Sequence, residues 1–208
     1  MITSPDSILN QYALSDRHYH NFKHIGLMLA GLDEHFYPEE MWIATLSRDK
    51  YKKTPVYLQI KQAIIYHDVI YDASRNDNEE RSAEVAANEL AYYYDEGWID
   101  SVSRLILVTK THNPQPNSMP EKIIVDLDLA GLASHNYIKH SQQIRKEYAF
   151  ATDEQWYYGR KAFLDSFLSR DDLYHTKVGQ SRWTADARRN MQLELSYIEA
   201  KIAALPKD

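Results

Sequence analysis

Apolar residues recur along this chain at spacings of three and four rather than two, which predicts helices and argues against half-buried strands. Only six glycines and seven prolines interrupt 208 residues, so few positions force a break. The most apolar stretch is TPVYLQIKQAIIYHDVIY, residues 54–71. Thr54 stands as a candidate N-cap, Pro55 occupies the first helical position, and the run stays almost wholly apolar to His67. A helix apolar on nearly every face is one that the fold buries. Asp77 with Glu80, and Thr152 with Gln155, have the spacing of capping arrangements, predicting helices over about 78–95 and 153–169. The same periodicity predicts helices over about 19–36, 39–52, 99–111, 120–133, 135–149 and 184–204. Proline, asparagine and serine cluster in ASRND before Asn78 and in THNPQPNSMP after Lys110, the two strongest loop signals. There is no internal repeat and no low-complexity tract. The expected fold class is all-α.

Length and composition narrow this picture. A chain of 208 residues can bury a sizeable core, and one domain over 1–208 is the expectation. No apolar run approaches the roughly 20 residues needed to span a bilayer, and MITSPDSILNQ lacks the basic and apolar blocks of a signal peptide; a cytoplasmic protein is expected. With no cysteine, a metal would have to be held by nitrogen and oxygen. A net charge of −6 argues against general affinity for polymeric nucleic acid or an anionic membrane, and for a small-molecule partner.

Candidate chemistry lies in three separated segments. HYHNFKH, His18 to His24, crowds three of the nine histidines into seven residues. On a helix His20 and His24 are one turn apart on one face, with His18 about 160° round from His20. Such a pair suits either a metal or a proton-transfer task. YHDVIYD places His67 and Asp68 at the end of the buried helix, and IIVDLDLAGL places Asp126 and Asp128 within an apolar one. Burying ionisable groups there is costly without compensation, which a divalent cation would supply directly. An isolated His-Asp pair is more commonly a buried histidine bonded to its neighbour; the flanking segments change that balance.

In order, HNxxH, HD and DxD resemble the HD superfamily of metal-dependent phosphohydrolases. The likeness extends to RHYHNFKHI, to NEERSA at 78–83, to IRKEY at 144–148 and to YYGR at 157–160, and together these resemble a small bacterial group of predicted metal-dependent HD phosphohydrolases over roughly 15–195. The resemblance implies a helical bundle with additional C-terminal helices. It implies a divalent ion (Mn²⁺, Fe²⁺, Ni²⁺, Zn²⁺ or Mg²⁺) held by His24, His67, Asp68 and one of Asp126 or Asp128. Asp128 matches the aspartate of the superfamily's Ala-Asp-x-Leu motif, although Leu127 replaces the alanine. The two aspartates are about 200° apart on a helix, so only one can face the ion, and the other could orient a ligand histidine. HNFKH also resembles the HNxxH of cyclic nucleotide phosphodiesterases, which implies that His20 is the general acid and His24 a ligand, with Asp68 part of the catalytic centre.

Further residues are candidates for substrate contact. His112 could be a ligand, a phosphate contact or a surface residue. Glu79 follows the HD helix by one loop, as does Glu80, which has a competing capping role. Arg145, Lys146 and Arg160 would supply positive charge for phosphate, against the commoner role of solvated surface groups. His18, His35, His135, His140 and His175 are expected to be structural or exposed. Among 16 tyrosines, Tyr92, Tyr93, Tyr94, Tyr157 and Tyr158 could stack on a nucleobase, though helix packing is the more usual use. The expected function is hydrolysis of a phosphate ester or anhydride of a small molecule, a nucleotide among the candidates. The alternatives are a cyclic-nucleotide-like phosphodiesterase and a non-catalytic, metal-stapled binding or regulatory protein.

Overall fold

The computed structural model describes residues 5–36 and 55–206. Among them are ten α-helices, one short 3₁₀ helix and no strand: α1 (Pro5–Tyr12), α2 (Phe22–His35), α3 (Pro55–Tyr66), α4 (Asn78–Leu90), α5 (Glu96–Thr109), α6 (Met119–Leu129), α7 (Tyr137–Glu147), α8 (Asp153–Leu168), α9 (Lys177–Arg182) and α10 (Thr184–Ala203). The all-α expectation is met. No helix among the described residues is long and apolar enough to cross a membrane. The helix expected over 39–52 and the N-cap expected at Thr54 lie outside the described residues.

The chain divides into two compact units, Met1–Asp128 and Leu129–Asp208. In the first, α3 is the central element and packs against α2, α4 and α5. Every position after Pro55 is buried or half-buried, as its apolar run requires, with Tyr57, Ile60, Ala63, Ile64 and Tyr66 the most enclosed. Burial of each large apolar side chain contributes about 1.5–3 kcal/mol, so α3 can carry polar groups at its end without losing its place. On α2 the buried stripe is His24, Ile25, Met28 and Leu32, and its third turn comes close to α6. A Cβ on Gly31 would stand 2.8 Å from Leu127 Cδ2, so a larger residue there would require the Leu127 side chain to move.

Two local readings are corrected. The helix expected from about residue 19 begins at Phe22, because the Asn21 side chain accepts from Lys23 N as N-cap; His20 therefore precedes the helix. Asp77 does stand at the N-cap of α4 but makes no side-chain cap bond. Its carboxylate is instead held by Arg75 at 2.5 and 2.7 Å, and Glu80 pairs with Lys110.

In the second unit α10 packs against α7, α8, α9 and the 3₁₀ helix, Ala130–Ala133. The expected capping box is present, Thr152 accepting from Gln155 N while Gln155 accepts from Thr152 N. Helices α8 and α10 also share a buried charged pair: Arg160 Nε and an Nη donate to both oxygens of Glu194 at 3.0 and 2.9 Å. Tyr137 and Ser141 also donate to that carboxylate. Helices α1 and α9 are short and were not anticipated from periodicity.

Candidate metal centre

Four elements of the first unit deliver polar side chains to one place. Helix α2 brings His24 in its first turn, and the turn that follows α3 brings His67 and Asp68. Near the end of α6 comes Asp128. The loop after α5 brings His112. His24 Nε2 lies 3.1 Å from Asp128 Oδ1 and 3.9 Å from Asp68 Oδ2; His67 Nε2 lies 3.1 Å from Asp68 Oδ2 and 3.7 Å from Asp128 Oδ1. One ligand atom each from His24, His67 and Asp128 all fall within 4.8 Å of one another, a group that could hold a metal ion. Of the two aspartates on α6, the geometry brings Asp128 to the histidines, while Asp126 is completely buried elsewhere on the helix.

The donor chemistry fits a cation. His67 Nδ1 lies 2.9 Å from the Ile64 carbonyl, so Nδ1 carries the ring proton, and a neutral imidazole then presents a bare lone pair at Nε2. That lone pair faces carboxylate oxygens, which also only accept. His67 Nε2 and Asp68 Oδ2 are both buried and without a hydrogen-bond partner, although only 3.1 Å apart. The arrangement is compensated either by a proton on Nε2 or by a metal ion between the groups. Without a metal it is the proton: burial pushes the His67 imidazole down, but Asp68 and Asp128 outweigh burial and hold it well above the usual histidine range. Burial likewise pushes the Asp68 carboxyl up, and His67 outweighs it to hold the group well below the usual range. Asp128 is lowered in the same way, burial being outweighed by its bonds to His112 and His24 and by the nearby His67.

His112 joins the group. Its Nε2 lies 2.9 Å from Asp128 Oδ2, which leaves Oδ1 to face His24 and His67. The backbone reaches this position in a left-handed conformation, φ 50°, unique among described non-glycine residues. A residue ending a helix in this conformation is ordinarily glycine.

His20 stands at the edge. Its ring stacks on Tyr71 at 4.2 Å, meets Tyr19 edge-on at 4.9 Å and lies 5.9 Å from the His24 ring. The histidines of HNFKH are thus neighbours, though not by the one-turn helical spacing expected of them. Glu79, half-buried in the first turn of α4, has its carboxyl raised by burial, with the Asp68 charge adding to this.

No family model, no curated protein and no solved structure matches the chain.

The basic candidates Arg145, Lys146 and Arg160 belong to the second unit. Arg145 donates to the Tyr148 and Ala151 carbonyls and to Asp153. Lys146 is exposed, and Arg160 is bound internally to Glu194. The tyrosines divide: Tyr92 and Tyr93 are exposed, whereas Tyr94 stacks on Trp98 at 4.5 Å.

Sequence reasoning passed over Arg17. It is buried, and its guanidinium donates to the carbonyls of Asp68 and Val69 at 2.5 and 2.9 Å. The available signal was its place one residue before the histidine cluster.

Proposed function

We propose that the chain is a metal-dependent phosphohydrolase of the HD type, acting on a phosphate ester or anhydride of a small molecule. One observation supports this above the others. His67 Nε2, its proton placed on Nδ1 by the Ile64 carbonyl, faces Asp68 and Asp128 with no hydrogen bond to either. His24, His67, Asp68 and Asp128 would hold the ion, with His112 fixing the second oxygen of Asp128. Two or three imidazoles with two carboxylates suit Mn²⁺, Fe²⁺, Ni²⁺ or Zn²⁺ better than Mg²⁺, which prefers oxygen alone. A bound divalent cation supplies charge to phosphoryl oxygens and acidifies water. His20, outside the ligand group but beside it, carries the ring proton for the departing oxygen. Glu79 borders the same turn and can accept from substrate or water.

The test is turnover by purified protein reconstituted with each of these ions, against phosphate monoesters, nucleoside di- and triphosphates and cyclic nucleotides. Metal-dependent release of phosphate, lost in Asp68→Ala, is the expected result. Cleavage confined to cyclic nucleotides would make the chain a phosphodiesterase. Metal bound with no turnover on any substrate would make it a binding protein stapled by its ion.

A further inference from the structure

We propose that Arg17 is a positioning residue that sets His20 in register with the HD turn, an inference that rests on the proton-donor role given to His20 above. His20 precedes α2, so it does not take its position from the helix. Its position must be fixed by something else.

Arg17 supplies that link through one nitrogen. A single Nη of Arg17 donates to the Asp68 carbonyl at 2.5 Å and reaches the His20 carbonyl at 3.4 Å, while the other Nη donates to the Val69 carbonyl at 2.9 Å. The guanidinium therefore joins the main chain of the proton-donor candidate to the main chain of a metal-ligand candidate. Burying an arginine is costly unless its donors are met, and three carbonyl oxygens converging on its two Nη groups meet the larger part of that need. The same cation lies 5.7 Å from the centre of the Tyr71 ring and 5.1 Å from that of Tyr12. Tyr71 in turn carries the stacked ring of His20.

Each end of this link is braced. Asn21 Nδ2 donates to the Arg17 and His18 carbonyls at 3.1 and 2.9 Å, closing residues 17–21 into a fixed turn. On the other side, Asn78 and Ser82, one turn apart on α4, clamp the segment that carries Tyr71. Asn78 accepts from Asp72 N and donates to Asp72 O; Ser82 accepts from Ile70 N and donates to Ile70 O. Arg17 thus ties two separately braced segments together at the main chain, and removing it should free one to shift against the other. A lysine's single ammonium cannot reproduce the planar fork that spans the Asp68 and Val69 carbonyls, so it holds the two segments less firmly.

The experiment compares wild type with Arg17→Lys and Arg17→Met, following His20 by ¹H–¹⁵N NMR of the metal-free protein. In wild type the His20 ring protons should be shifted upfield by the stacked Tyr71 ring. In both folded variants that shift should be largely lost, with the His67 resonances still in place. On the metal-loaded protein, Arg17→Lys should retain its metal content while kcat falls roughly 10²-fold, the usual cost of a misplaced group, with KM little changed. In a His20→Ala background the same substitution should cost nothing more. Unchanged His20 shifts in a folded variant, or losses that multiply with His20→Ala, would overturn the proposal. Should neither variant fold, wild type decides: separate, slowly exchanging Nη signals of Arg17 with contacts to the Tyr71 ring support the link, and one averaged signal without them refutes it. Absence of turnover in wild type would remove the phosphohydrolase reading alone, since the ring shifts report the positioning independently.

Discussion

His67 is fixed at one nitrogen and open at the other, and that asymmetry makes the difference between a structural histidine and a ligand. Its Nδ1 proton is committed to the Ile64 carbonyl, so Nε2 must be answered by a proton or an ion. Asp128 is constrained from the other side, one oxygen held by His112 and the second facing His24 and His67. The two aspartates of α6 should therefore behave differently. Asp128→Asn should remove most metal affinity, whereas Asp126→Asn should weaken it by no more than about 10 to 100-fold, the range for groups that act through a ligand. Metal titrations of both variants decide this, and the reverse order would move the centre to Asp126. For His20 the expected outcome is intact metal content with turnover lower by roughly 10² to 10⁴-fold in His20→Ala. The loss should shrink for aryl phosphates, whose leaving groups depart without a proton. Metal analysis beside kcat for two leaving groups separates this from a ligand role, in which the metal itself would go. These residues were legible because buried ionisable side chains in apolar runs stand out. Arg17 was not, because its partners are backbone carbonyls of a segment about fifty positions away, and main-chain partners leave no mark in the side-chain pattern.

At the scale of elements, periodicity located α3, α6 and α8 well because each presents apolar residues over several turns. It placed the start of α2 too early, since a single side chain, Asn21, ends the preceding turn and begins the helix. That boundary alters the chemistry: His20 is held by stacking on Tyr71 rather than by a helical face it shares with His24. The end of α5 shows the converse, a helix terminus shaped by its site. His112 at φ 50° occupies a position where glycine would be unstrained, and the gain is a ring that reaches Asp128. His112→Gly and His112→Ala both lose that ring, but only alanine keeps the strained backbone. The glycine variant should therefore be the more stable by about 1 kcal/mol, while both lose metal affinity. Urea denaturation of the two in metal-free buffer tests this, and equal midpoints would show that the left-handed turn carries no strain.

For the chain as a whole, two of the buried charge clusters among the described residues are compensated in different ways. In the first unit the cluster around His67 has its acceptors turned towards one another. In the second, Glu194 has every demand met by protein, from Arg160, Tyr137 and Ser141. Composition could not distinguish these cases, because a sequence lists charged residues without saying which share a partner; Arg160 reads equally as a phosphate anchor or half of an ion pair. The pairing gives a pH dependence of definite sign. Burial pushes the Glu194 carboxyl up, but Arg160 and its other donors outweigh burial and hold it below the ordinary value, about 4.3 for an unfolded glutamate. A lowered folded-state value means that the contribution to stability is complete above that ordinary value and is lost as pH falls through the folded one. Glu194→Gln should remove this part of the acid-side slope. It should also destabilise at neutral pH by roughly 3–5 kcal/mol, the cost of leaving a buried partner charge uncompensated. Metal should leave that deficit untouched. Thermal melts of wild type and Glu194→Gln from pH 3 to 7, with and without Mn²⁺, provide the check. A metal ion that stabilises wild type should raise both proteins alike, because its candidate ligands belong to the other unit. If Mn²⁺ instead restored the variant to wild-type stability, Glu194 would have to act through the metal centre rather than through Arg160.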